Sequence, residues 1–138
     1  MNTTTEFRSF YRDMNAEELL NDTKKWKKRI NFLQQEFAFL SSLLEANIFN
    51  PEINDLFETL LLYKEEIGNI TNESNKILDS LISHESHIEI YLESDDINFD
   101  HVFIEIHSKK EYDVTVFLEE TNKFKIQLYD YIKRVVIR

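Results

Sequence analysis

A hydrophobic beat of seven residues limits what this chain can become. Leu19, Thr23, Trp26, Ile30, Leu33, Phe37, Leu40, Leu44 and Asn47 follow one another at alternating steps of four and three. From Ile53 the rhythm resumes through Leu56, Leu60, Tyr63, Ile67, Ile70, Ser74, Ile77, Leu81, His84, Ile88 and Tyr91. A looser third run passes Phe103, His107, Lys110, Val114, Phe117, Thr121, Phe124, Leu128, Tyr131 and Val135. A stripe repeating every 3.5 residues is the seam of helices lying side by side at a shallow angle. Extra apolar residues flank each seam, such as Phe32 and Phe39 in the first run and Phe57, Leu61 and Leu78 in the second. They widen the stripe beyond the need of a two-stranded coil, so each helix faces two neighbours.

The punctuation fits that reading. Asn15 followed by Glu18 resembles a capping box, and Asn50-Pro51 offers a cap before a proline at a first helical position. The run from Ser94 to Asp100 is the other turn-like cluster. These features predict an all-α, antiparallel up-down-up bundle of three long helices, coiled-coil-like, at about residues 16–48, 51–93 and 99–136. Residues 1–15 form a short N-terminal extension ahead of the bundle, which spans 16–138. Two alternatives compete. Gly68 to Asn75 is rich in poor helix formers and could divide the second helix. HVFIEIH and DVTVFLE have strand-like composition and could form a hairpin around Ser108 to Lys110. The unbroken 3-4 phase through Gly68, and the absence of glycine or proline near Ser108, favour helix at both places.

With turns centred near residues 49 and 97, Trp26 is expected level with Ser74 and Thr121. His87 is then expected level with His107, and His84 about one turn away. The second hairpin would overshoot the start of the first helix. Phe7, Phe10, Tyr11 and Met14 have the spacing to fold back over that end.

Composition narrows the function classes. The single glycine excludes a glycine-rich phosphate loop, and the lack of cysteine excludes thiol chemistry and cysteine-ligated metals. The net charge of −10 is uneven: residues 35–84 carry −7 and 85–120 carry −9, while both ends are basic. An acidic middle opposes nucleic-acid and anionic-membrane binding. No run has the length of a membrane span and the first residues lack a signal-peptide core, so the expected location is cytoplasmic.

All four histidines fall between positions 84 and 107. His84, His87, His101, Glu105 and His107 are candidate ligands for zinc or another divalent transition ion, because imidazole and carboxylate suit such ions. His101 and Glu105 stand four residues apart on one helical face. The plainer reading makes His84 and His107 polar seam residues that fix register, with His87 and His101 in solvent. The basic run Lys24 to Arg29 surrounds the seam residue Trp26. It reads as a solvated turn paired across helices with Glu73, Glu119 and Glu120. Nothing places a nucleophile beside a base, so an enzyme is not expected.

The run LLNDTKKWKKRINFLQQEFAFLSSLL at Leu19–Leu44 resembles the first helix of small helical-bundle proteins of flavobacteria-type bacteria. LDSLISHESHIE at Leu78–Glu89 is similar to their second helix, and the segment Asp100–Ile132 to their third. The resemblance implies a helical bundle and no particular activity. It implies some role for His84 and His101, which fall where that pattern carries histidine. The leading expectation is therefore a non-enzymatic structural or interaction bundle with a protein partner or self-association. Its contact surface would use Phe32 and Phe39, one heptad apart. A metal- or ligand-binding bundle and an acidic inhibitor of a basic partner are the alternatives.

Overall fold

A computed structural model describes residues 15–93 and 101–137. The described residues form three helices: α1 (Ala16–Leu44), α2 (Leu56–Glu93) and α3 (His101–Val135). Residue pairs that meet across the helices show the up-down-up order. Gln34 of α1 reaches Ser74 of α2, and Lys27 reaches Glu85, so α2 runs antiparallel to α1. Ser80 of α2 meets Lys110 of α3, and Tyr63 meets Tyr131, so α3 turns back again. Among the described residues no strand forms, apart from an isolated bridge between Phe49 and Val136. The strand-like composition of α3 yields to its 3.5-residue period, because only a helix puts Val114, Phe117, Thr121 and Leu128 on one face. α2 continues without interruption through Gly68.

Burial follows the seam. Leu19, Ile30, Phe37, Leu40, Leu81, Ile88 and Leu128 are all but sealed from solvent. Two hydroxyls, Thr23 and Ser74, share the seam of α1 and α2, whose backbones lie closer together than those of α2 and α3. Each hydroxyl donates to a backbone carbonyl on its own helix: Thr23 to Leu19 (2.8 Å) and Ser74 to Thr71 (2.7 Å). Short side chains that satisfy themselves locally are what close helix approach requires. At the start of α1, the Glu18 amide donates to Asn15 Oδ1 (2.9 Å), as the cap spacing predicts.

The first connection differs from expectation. α1 ends at Leu44 instead of near 48, and α2 begins at Leu56 instead of Pro51. The residue before a proline avoids the α region, so Asn50 cannot continue a helix. Pro51 instead occupies the second position of a turn closed by the Ile53 amide on the Asn50 carbonyl (3.2 Å). Asn50 Oδ1 also accepts from the Glu52 amide (3.0 Å). A second turn follows, with Asp55 in the left-handed region at φ 58°. The connection carries Phe49 into the core beside Leu44, Leu56 and Val135. It is pinned to the end of α3 by two hydrogen bonds of 2.8 Å, Asn50 N–H to the Val135 carbonyl and Ile137 N–H to the Ile48 carbonyl.

This folded connection moves the register of α1 by about three helical turns against α2. Lys64, more than two turns into α2, pairs with Glu45 just beyond the end of α1. The first turns of α2 therefore project past α1, and residues 45–55 cover them. At the opposite end Ala16 and Leu19 pack with Ile88 and Ile104, so α1 reaches the α2/α3 tip. The expected overshoot is thus at the other end of the bundle. The extension expected to cover it, residues 1–14, lies outside the described residues.

Candidate functional site

The corrected register builds a polar layer near the α2/α3 tip. Trp26 does not stand level with Ser74 and Thr121; its indole stacks on the His107 imidazole at 4.6 Å between ring centres. His107 is fully buried and His84 nearly so. The two rings meet through His84 Nε2 and His107 Nδ1 at 2.9 Å, and His107 Nε2 lies 3.3 Å from Asp22 Oδ2. An ionised Asp22 can only accept, so His107 carries its proton on Nε2 and accepts at Nδ1 from His84 Nε2–H. One tautomer therefore satisfies both contacts with both rings neutral. Burial holds each imidazole well below its usual range, to about 4. For His84, the neighbouring His107, Lys110 and His87 charges push the same way. Burial also raises the Asp22 carboxyl, against the pull of Lys25.

The candidate metal ligands do not come together as one donor set. His84 and His107 meet, but His87 and Glu105 are exposed, and the His101 side chain lies outside the described residues. Among the described residues no three His, Asp or Glu side chains gather closely enough to hold an ion. The physical reason is phase. His84 sits on the α2 seam, whereas His87 is three residues on and turns outward once His84 has taken the core position. The sequence had paired His107 with His87. It also missed Asp22, which the spacing to Trp26 (i, i+4) would have offered once the register was known.

The basic run is also re-partnered by the register. Lys27 pairs with Glu85 at 3.1 Å, in place of Glu73, Glu119 and Glu120. Lys24, Lys25, Lys28 and Arg29 are exposed.

A second feature lies between α1 and α3. Phe32 is 69% exposed and Phe39 64%, and they stand one heptad apart on the same lip of α1. Phe32 lines a groove of about 530 Å³ with Leu33 and Leu118 on its floor and Lys28 and Arg29 above. Across the groove, Lys125 of α3 binds Glu36 of α1 (2.9 Å), and Tyr129 donates to the other oxygen of the same carboxylate (3.2 Å). That bridge fixes the spacing of the two helices beside the exposed rings. Burial, and then the Glu36 charge, raise the Tyr129 hydroxyl.

No family model, curated protein or solved structure matches the chain. Among the described residues no helix is long and apolar enough to cross a membrane. The two constellations therefore carry the functional argument by themselves.

Proposed function

We propose that this chain is a non-enzymatic protein-interaction bundle that docks a partner along the groove between α1 and α3. One observation carries the reading: Phe32 and Phe39 stay in water on a bundle whose core is already filled by other side chains. Burying one phenylalanine is worth about 1.5–3 kcal/mol, so two left exposed in register form a strong anchor for a partner. The cationic lip and the Glu36–Lys125–Tyr129 bridge give the groove a charged, pre-set edge. The histidine layer is buried, with His107 sealed from solvent, and is best read as a register device. Acidic charge argues against nucleic acid, and the lack of cysteine suits the reducing cytoplasm, where we place the protein.

The test is photo-crosslinking in the cells that make the protein. A benzophenone amino acid is placed at Phe32, at Phe39 and, as control, at the exposed position Gln127. Specific protein adducts at the first two positions and none at the third are expected. If neither groove position captures any protein chain, this one included, the reading fails.

A further inference from the structure

We propose that the occupant of the groove is the outer face of α2 from a second copy of this chain. This rests on the groove being a docking site and names what fills it. The outer face of α2 has the matching character. Phe57, Leu61 and Leu62 are 71%, 55% and 64% exposed, and Glu58, Glu65 and Glu66 are exposed among them. Lys64, the one base within that stretch, is turned aside to Glu45. The face is therefore apolar and anionic. The groove is apolar and cationic, because Lys28 and Arg29 stand exposed beside Phe32 with no carboxylate partner among the described residues.

The dimensions agree. Lys28 to Phe39 spans about 16 Å of helix and Phe57 to Glu66 about 14 Å, at 1.5 Å per residue. Gly68 continues the stripe of Phe57, Leu61 and Glu65. A Cβ added there would meet nothing within 4 Å, so among the described residues no contact explains a glycine in mid-helix. Such a glycine costs about 0.5–1 kcal/mol against alanine, and a bare backbone lets a neighbouring helix approach closely.

Geometry also fixes the symmetry. In a three-helix bundle the groove between two helices lies opposite the third. The groove and the α2 face therefore point in opposite directions. A contact between two different, opposed patches is head-to-tail and does not close on itself as a dimer. The expected product is an open row of bundles that lengthens with concentration.

The experiment is sedimentation velocity across a concentration series with two double variants. Phe32→Ser with Phe39→Ser blocks the groove, and Leu61→Ser with Leu62→Ser blocks the face. All four side chains are exposed, and circular dichroism checks that both variants keep the native helix content. Wild type should grow progressively with concentration, and each variant alone should stay monomeric. An equal mixture should form dimers and nothing larger, since one partner keeps the face and the other keeps the groove. A monomeric wild type, a mixture that stays monomeric, or a face variant that assembles like wild type would overturn the proposal. If wild type is monomeric while position 32 captures a different protein, the docking groove stands and the second copy is wrong. If neither position 32 nor position 39 captures any protein chain, both are wrong.

Discussion

Lowering the pH from 7 to 5 should weaken this bundle by a calculable amount through the two buried imidazoles. Free histidine titrates near 6.5, whereas His84 and His107 are held to about 4. At pH 5 the unfolded chain has therefore taken up protons that the folded chain refuses. Stability is intact above 6.5 and declines as pH falls from there toward 4. Linkage gives about 2 kcal/mol for each ring at pH 5, and on the order of 4 kcal/mol for the pair. The geometry gives the sign independently. A proton on His107 Nδ1 would set two N–H donors against each other at the 2.9 Å contact. Asp22 and Glu111 act in the opposite sense, because their raised carboxyl pKa values favour the folded state as they protonate. The assay is urea unfolding at pH 7 and pH 5, for wild type and for His84→Gln combined with His107→Gln. Wild type should lose several kcal/mol between the two, and the variant should lose far less. Equal losses in both proteins, or a wild-type loss below about 1 kcal/mol, would refute the argument that burial suppresses these protons.

Two further substitutions test the fold. Gly68→Ala should raise the stability of dilute, monomeric protein by about 0.5–1 kcal/mol, because the site is helical, exposed and empty around the new methyl group. A lower melting temperature would mean that α2 is not a continuous helix there. Phe37→Ala should cost about 3–5 kcal/mol in chemical denaturation, since its ring is sealed in the core and lies 6.0 Å from that of Phe124. A cost near 1 kcal/mol would place that ring nearer the surface.

The seam was open to reading because burial imposes a period that side chains must obey. Leu56, Leu60, Ile67, Ile70, Ser74, Leu81 and Ile88 fall on the predicted stripe of α2 and are all buried. What the period cannot state is where a helix stops for tertiary reasons. Asn47 and Ile53 carry the rhythm into residues 45–55, yet that stretch gains more by delivering Phe49 to the core and bonding the tail of α3. The error then propagated along α1, moving Trp26 from the Ser74 level to the His107 level. The α2/α3 register was nearly right, and the remaining slip of three residues was enough to choose His87 over His84. Phe32 and Phe39 were legible as surplus apolar residues. The Glu36–Lys125–Tyr129 bridge beside them was not, since it joins residues far apart in sequence.

The bridge between Phe49 and Val136 works as a clasp. It fastens the link between the first two rods to the tail of the third, so a mechanical pull on Ile137 is not borne by α3 alone. The load passes to Ile48 and Asn50, and Phe49 must leave its seat before the rods can slide apart. Tension applied there reaches the link between α1 and α2 as well as the end of α3.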